Sequence, residues 1–296
     1  MNEKSVRGLD IKPPKISSAF KYETAPHLPK LHQNCILLGA RGSGKGVAMA
    51  NMVKMMPFDR VLMISPTALS NKEILKDLNI ADEDIFDPDD PESVKKVREI
   101  VEFEAADLER YRYEMKMYQK FMKLLKQSES FIPDEMLELF YQDGDFKPPE
   151  HRWDGREPII ACLIDDCQST PLFRNRQFQN LVIRHRHVGQ FKEGGALGLS
   201  LFICLQNYTS QGGCPRSIRG NVTSMCIFKI KDEKQLKQVA SECSGEISTD
   251  QFYDVYNQAI GDGEAHQFLF VDFNKKPSHP SMFRRYYNTY LIPKSS

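Results

Sequence analysis

Three groups of residues have the types and spacing that chemistry needs. The first is Gly39-Ala40-Arg41-Gly42-Ser43-Gly44-Lys45-Gly46, which follows the apolar run "CILLG" and precedes a helix-like stretch. Glycines at these places let backbone N–H groups turn toward phosphate oxygens, and a helix N-terminus adds a favourable dipole. Lys45 would neutralise the β- and γ-phosphates, and Val47 ends the cradle. The usual pattern closes on Ser or Thr, whose hydroxyl binds magnesium; here Gly46 stands instead. The second group is "IIACLIDD", an apolar strand ending in Asp165-Asp166. Asp165 would hold Mg2+ through its water shell, and Asp166 would polarise an attacking water. Adjacent acids at a strand end could instead cap the next helix. The third is "LSLFICLQNY", which would set the Gln206 carboxamide beside the γ-phosphate, although any strand can end in Gln. The first two groups together imply hydrolysis of a nucleotide, with ATP and Mg2+ as the cofactors.

Positioning these residues requires strands that end at one edge. Five buried strands are expected at 35–39, 60–65, 159–165, 199–206 and 224–230, and a sixth at 267–273. Helical patterns lie between most of them, so the expected fold is α/β. It is a P-loop NTPase with a mostly parallel RecA/ASCE-like sheet and helices on both faces. The helix after the loop runs from Lys45 to Met56, with Val47, Ala48, Met49, Met52, Val53 and Met56 at helical spacing, and Pro57 stops it. The acidic run 82–92, "DEDIFDPDDPE", reads as a solvated loop, and a polar helix follows from Glu92 to about Lys126. That helix breaks the α/β alternation, so about 92–145 is expected to be a helical insertion. It would cover one sheet edge, or contact DNA or another subunit. Residues 1–30 read as an extended arm, 31–275 as the ATPase domain and 276–296 as a C-terminal tail.

Composition bounds the partners. The 296 residues are 41% hydrophobic and 27% charged, an ordinary globular balance. Lys+Arg and Asp+Glu are both 40, so no overall field attracts nucleic acid or an anionic membrane, and any DNA contact must be a local patch or come from assembly. Seven cysteines form no CxxC pair and several sit in apolar strands, as free thiols do in a reducing compartment. No apolar run approaches about 20 residues and no secretory signal is evident, so an intracellular, soluble protein without a membrane segment is expected.

The order of motifs carries a resemblance. The loop at 39–46, "LIDD" at 163–166, "RHRHVG" at 184–189, "FICLQNY" at 202–208 and "RSIRGNVTSMCIFKI" at 216–230 are together similar to the FtsK–HerA superfamily. Within it the chain most resembles the genome-packaging ATPases of nucleocytoplasmic large DNA viruses, the vaccinia-type group, over about residues 30–275. The resemblance implies a homo-oligomeric ring that moves double-stranded DNA, without sequence preference, into a capsid through a capsid or portal component. It implies a virus factory in the infected cell, or the virion, as the place of action. Gly46 departs from the pattern, and Asp166 stands where Glu is common.

A ring implies a cation from a neighbouring subunit to stabilise charge on the transferred phosphoryl group. Arg219 is the leading candidate, with Arg184 and Arg186 behind it. The stretch 174–187, "RNRQFQNLVIRHRH", is the most concentrated basic segment and could track DNA phosphates. His185 and His187 lack partners at metal-ligand spacing. The segment "KKPSHPSMFRRYYNTYL" reads as a solvated tail, or as a docking element for a neighbour, a portal or DNA. Two other readings stay open: a nucleotide-binding scaffold with little hydrolysis, and a P-loop kinase for a small molecule.

Overall fold

A computed structural model describes residues 23–70, 72–127, 132–142, 145–209, 213–245, 247–261 and 265–293. In chain order its elements begin with β1 (Asn34–Leu38), α1 (Lys45–Met55), β2 (Arg60–Ile64), α2 (Lys72–Asp77), β3 (Ile85–Phe86) and α3 (Ser93–Leu125). There follow α4 (Asp134–Phe140), β4 (Tyr141–Gln142), β5 (Asp145–Phe146), β6 (Ile160–Ile164), α5 (Arg176–Arg184), β7 (Ser200–Leu205) and α6 (Arg216–Arg219). The last are β8 (Ser224–Phe228), α7 (Glu233–Cys243), α8 (Thr249–Ile260), β9 (Phe268–Asp272), β10 (Phe283–Arg285) and β11 (Thr289–Leu291).

Nine strands form one sheet in the order β11-β10-β9-β8-β1-β7-β6-β2-β3. The six from β8 to β3 run parallel, and β9, β10 and β11 add an antiparallel meander at one edge. The central strands are continuous apolar runs because both faces are covered. Ile36, Leu62, Cys162, Leu201 and Met225 face α3, α5, α7 and α8. Leu37, Met63, Leu163, Phe202 and Cys226 face α1 and α2, where Met49, Met52 and Val53 pack. The expected fold class is therefore present, a P-loop-type α/β sheet with helices on both faces.

Three boundaries differ from the sequence expectation. The helix expected from Glu92 is not wholly an insertion. Val94, Val97, Val101, Ala105 and Leu108 recur at helical spacing and are buried against the sheet core. Only the distal half stands apart, where Phe121, Met136 and Phe140 make a separate small core beside the β4–β5 hairpin. The polar residues between its apolar positions hid this division.

The acidic run 82–92 is not simply solvated either. Asp84 is 4% exposed, and β3, which begins at the next residue, pairs with β2. Arg60, at the start of β2, donates from Nε to Asp84 Oδ2 at 3.1 Å and from Nη1 to Glu104 Oε1 at 2.8 Å. Trp153 Nε1 donates to Glu104 Oε2 at 2.6 Å. A partly buried arginine thus joins β2, the turn before β3 and α3.

The third difference is the C-terminal segment, where β10 and β11 extend the sheet. Arg284 is 2% exposed; its guanidinium lies 4.5 Å from the Tyr290 ring centroid and donates from Nη2 to His279 Nδ1 at 3.0 Å. Interleaved basic and aromatic residues here build a buried edge. The same segment holds the described part of the N-terminal arm. Lys276 Nζ donates to Thr24 O at 2.8 Å, His279 Nε2 to Pro26 O at 2.7 Å, and Arg284 Nη1 to His27 O at 2.8 Å. Residues 1–22 of the arm lie outside the described residues. No helix among the described residues is long and apolar enough to cross a membrane.

Two stability predictions follow from these buried groups. Arg60→Met leaves the buried Asp84 without its cation and Glu104 with only the more distant Arg152, at 3.7 Å, so it should cost about 3–5 kcal/mol in chemical denaturation. His32 is buried, and desolvation first, then the charges of His185 and Arg186, lower its pKa to about 4. Its folded pKa lies below the ordinary 6.5, so the unfolded chain binds the proton first as pH falls. Stability should therefore drop between pH 6.5 and about 4, and His32→Gln should flatten that limb in denaturation midpoints taken across the range.

Candidate active site

The phosphate-type loop grows directly out of the ladder. Gly39 N donates to Leu205 O at 3.0 Å, which continues the pairing of β1 with β7 by one residue. Gly39 is required by packing: a Cβ there would lie 2.6 Å from Ser43 Oγ and 2.7 Å from Phe228 Cβ. Gly42 and Gly44 have φ of 74° and 95°, left-handed values that glycine adopts freely. Gly44 caps α1 without any side-chain hydrogen bond, so the first-turn N–H groups of α1 face the loop. Lys45 Nζ reaches back across the loop to the carbonyls of Gly39 at 2.8 Å and Ala40 at 3.0 Å. Its ammonium thus sits inside the curve formed by Ala40, Arg41, Gly42 and Ser43. Ala40, Arg41 and Val47 are exposed around it, Val47 by 64%.

Gly46 does not admit a close neighbour. A Cβ there would meet only Ile74 Cδ1, at an ordinary 3.8 Å. The missing hydroxyl is a matter of residue type and not of space.

The carboxylates stand two strands away. Asp165 N donates to Ile64 O at 3.1 Å, which fixes the first residue after β6 against β2. Burial pushes the Asp165 carboxyl above its usual range, and the charge of Asp166 adds to this. The Lys45 charge and hydrogen bonds from the Cys204 thiol and the Asp166 N–H oppose the shift. A cation beside Asp165 would relieve both unfavourable effects, so this carboxylate fits a magnesium ligand. Magnesium keeps several waters and takes oxygens from phosphate, so one carboxylate is a sufficient protein donor.

Asp166 has φ 53°, a left-handed value uncommon outside glycine. That backbone turns its carboxylate away from the direction the strand would give. Thr67 Oγ1, after β2, lies 3.4 Å from Asp166 Oδ2. Neither acid caps a helix: Asn175 caps α5, accepting from Gln177 N at 2.7 Å.

Gln206 follows the last residue of β7 with its side chain exposed. Since β7 lies between β1 and β6, Lys45, Asp165, Asp166 and Gln206 all stand at the C-terminal ends of three adjacent strands. Ligand crevices in open α/β sheets lie at that edge. His266 also reaches the loop, its ring within 3.3 Å of where a Gly44 Cβ would be. Sequence reading missed it because it belongs to the distant α8–β9 connection.

Arg219 is placed differently from its expected role. Its guanidinium pairs with Glu242 at 2.5 Å and lies 4.9 Å from the Tyr208 ring centroid, with the side chain 13% exposed. Glu242 also accepts from Tyr208 Oη at 2.7 Å and Gln238 Nε2 at 2.6 Å. An arginine held this way is not extended toward a neighbour. Glu242 gave no signal in the sequence, since it lies 23 residues away on α7. Arg174, Arg176, Arg184 and Arg186 are exposed on and around α5 and have no ion pair among the described residues. His185 leaves this basic surface: it is buried, with Nδ1 2.8 Å from Val182 O.

No family model and no curated protein matches the chain. Solved structures do. The genome packaging NTPase B204 of Sulfolobus turreted icosahedral virus 2, in complex with AMP, is 12% identical at a TM-score of 0.45, over 86% of this chain and 96% of that one. EssC (ATPases 2 and 3) from Geobacillus thermodenitrificans is 15% identical at 0.43, over 82% of this chain and 38% of EssC. The pCW3 conjugation coupling protein TcpA is 15% identical at 0.38, over 86% of this chain and 60% of TcpA. The chain spans less than two thirds of EssC and of TcpA. The assignment of the site rests on its own geometry.

The two loop glycines should separate cleanly. Gly39→Ala forces Phe228 or the loop to move and should destabilise the protein by about 1–3 kcal/mol. Gly46→Ala has room and removes a helix glycine, so it should stabilise by up to about 1 kcal/mol. Denaturation of the two variants without nucleotide checks both signs.

Proposed function

We propose that this chain is an ATP-hydrolysing motor that moves double-stranded DNA in a homo-oligomeric ring and packages a viral genome into a capsid. One observation supports the reading above all: the loop that carries Lys45 follows β1 and Asp165-Asp166 follow β6, at the same edge of the sheet with β7 between the two strands. The motif order from "LIDD" to "RSIRGN" supports the motor class, and the exposed arginines around α5, which make no ion pair among the described residues, support a phosphate-tracking surface.

Each residue has a distinct task. The loop N–H groups and Lys45 bind and neutralise the β- and γ-phosphates; Lys45 exchanges its bonds to Gly39 O and Ala40 O for phosphate oxygens. Asp165 would hold magnesium together with phosphate oxygens and water, and the ion supplies charge neutralisation. At Gly46 the chain would offer magnesium no side-chain oxygen. Asp166 accepts hydrogen bonding from the attacking water and orients it in line with the γ-phosphorus. Gln206 contacts the γ-phosphate and registers its loss. Arg219 could serve a neighbouring site only after leaving Glu242, whereas Arg184 and Arg186 are already exposed.

Gly46 favours a second reading, a nucleotide-binding scaffold that does not turn over. ATP hydrolysis measured with and without double-stranded DNA decides between them. The motor should hydrolyse ATP with magnesium and accelerate with DNA; turnover that stays at background with DNA supports the scaffold. Asp166→Asn should bind ATP normally yet lose about 10²–10⁴-fold in turnover. Equal turnover in that variant would move the catalytic role to another acid.

A further inference from the structure

Beyond Leu205 the strand β7 has left the ladder, yet its next residues are held firmly. Gln168 Oε1 accepts from Gln206 N at 2.7 Å and from Asn207 N at 3.0 Å. Gln168 Nε2 donates to Asn207 O at 2.5 Å. Tyr208 N, the third successive N–H, donates to Gln235 Oε1 at 2.6 Å.

Gln168 belongs to the turn that carries the carboxylates, two residues after Asp166. The turn itself is anchored. Cys167 Sγ is 3.3 Å from Ile64 O, and Thr170 Oγ1 donates to Cys167 O at 2.7 Å. The last backbone register pair between β6 and β7 is Ile164–Ile203. Past it, the primary amide of Gln168 supplies the donor and acceptor that a peptide group would supply. It continues the pairing of the two strands after their backbones have parted.

We propose that Gln168 is a positioning residue that fixes the Gln206 carboxamide relative to Asp166 by gripping the Gln206–Asn207 backbone. The inference rests on the ATPase reading of this site. Gln206 can report the γ-phosphate only if its own backbone is immobile with respect to the carboxylate that orients the water. No ladder bond provides that immobility, and the Gln168 amide does. Truncation to Ala removes all three hydrogen bonds while leaving the phosphate loop untouched. Gln168→Glu keeps the two acceptor contacts but replaces the donor to Asn207 O with a repelling oxygen.

The test combines kinetics with amide hydrogen exchange on the full chain. In DNA-stimulated ATP hydrolysis, Gln168→Ala should lower kcat about tenfold or more with KM nearly unchanged, as expected when a reacting group is misplaced. Gln168→Glu should fall between it and the native chain. In a Gln206→Ala background, Gln168→Ala should add no further loss. The Gln206 and Asn207 amides should exchange faster in Gln168→Ala while those of β7 stay protected. Unchanged kcat, or losses that simply multiply in the double variant, overturns the proposal. If the native chain shows no turnover, the motor reading fails separately, and exchange alone then decides. A non-hydrolysable ATP analogue should change protection at Gln206 and Asn207 in the native chain and not in Gln168→Ala. An equal response in both overturns the role of Gln168.

Discussion

The site depends on one shared strand. The ladders of β7 to β1 on one side and to β6 on the other fix the lateral distance between the phosphate-type loop and the carboxylates. Two strand spacings amount to about 10 Å, a gap that a lysine side chain and a phosphate group can bridge together. The β1–β7 ladder runs past the strand ends through Gly39 N to Leu205 O, and on the other side of β6 the β2–β6 ladder does so through Asp165 N to Ile64 O. The functional residues are therefore positioned by backbone hydrogen bonds of the most buried part of the molecule, where slippage would expose apolar side chains on both faces.

That arrangement asks much of the burial around it. Asp165 is held near the Cys204 thiol and Lys45 in a partly buried place that disfavours its charge. Elsewhere the same difficulty is solved by pairing. Arg60 satisfies Asp84 and Glu104, and Arg284 is shared among backbone carbonyls, His279 and two aromatic faces. Such buried ions add little net stability compared with apolar replacements, but removing one partner is expensive. Their effect is to fix which segments meet. Arg60 joins α3 to the sheet, and Arg284 closes the chain's described beginning onto its end.

Much of this was legible in the sequence because apolar continuity reports burial on two faces. "CILLG", "IIACLID" and "LSLFICLQ" each became the strands expected, and the loop between β1 and α1 took the form its glycines require. What escaped notice depends on distant partners. Asp84 reads as one acid among many until Arg60 is placed beside it. Phe283 and Leu291 are too few and too widely spaced to announce an edge, and the arginines between them suggested solvent. The division of α3 was present in the spacing of Val94, Val97, Val101, Ala105 and Leu108, but the long charged helix masked it. Arg219 misled in the opposite sense, since a lone arginine in the sequence proves to be paired in space.

The paired state of Arg219 also bears on how the site could respond to its neighbours. Asn207 is held by Gln168, Tyr208 follows it directly, and Tyr208 both donates to Glu242 and lies under the Arg219 guanidinium. The end of β7 therefore touches the carboxylate turn on one side and the arginine pair on the other. Its three N–H groups at 206–208 are each engaged by a glutamine side chain, so this run behaves as one short, stiff segment. A displacement of Gln206 has to be absorbed at Tyr208, where the next fixed contact lies, or at the Gln168 amide. The first course alters the geometry that pairs Arg219 with Glu242. The second breaks hydrogen bonds at the carboxylate turn. Either way, the position of Gln206 is physically tied to groups on both sides of the site.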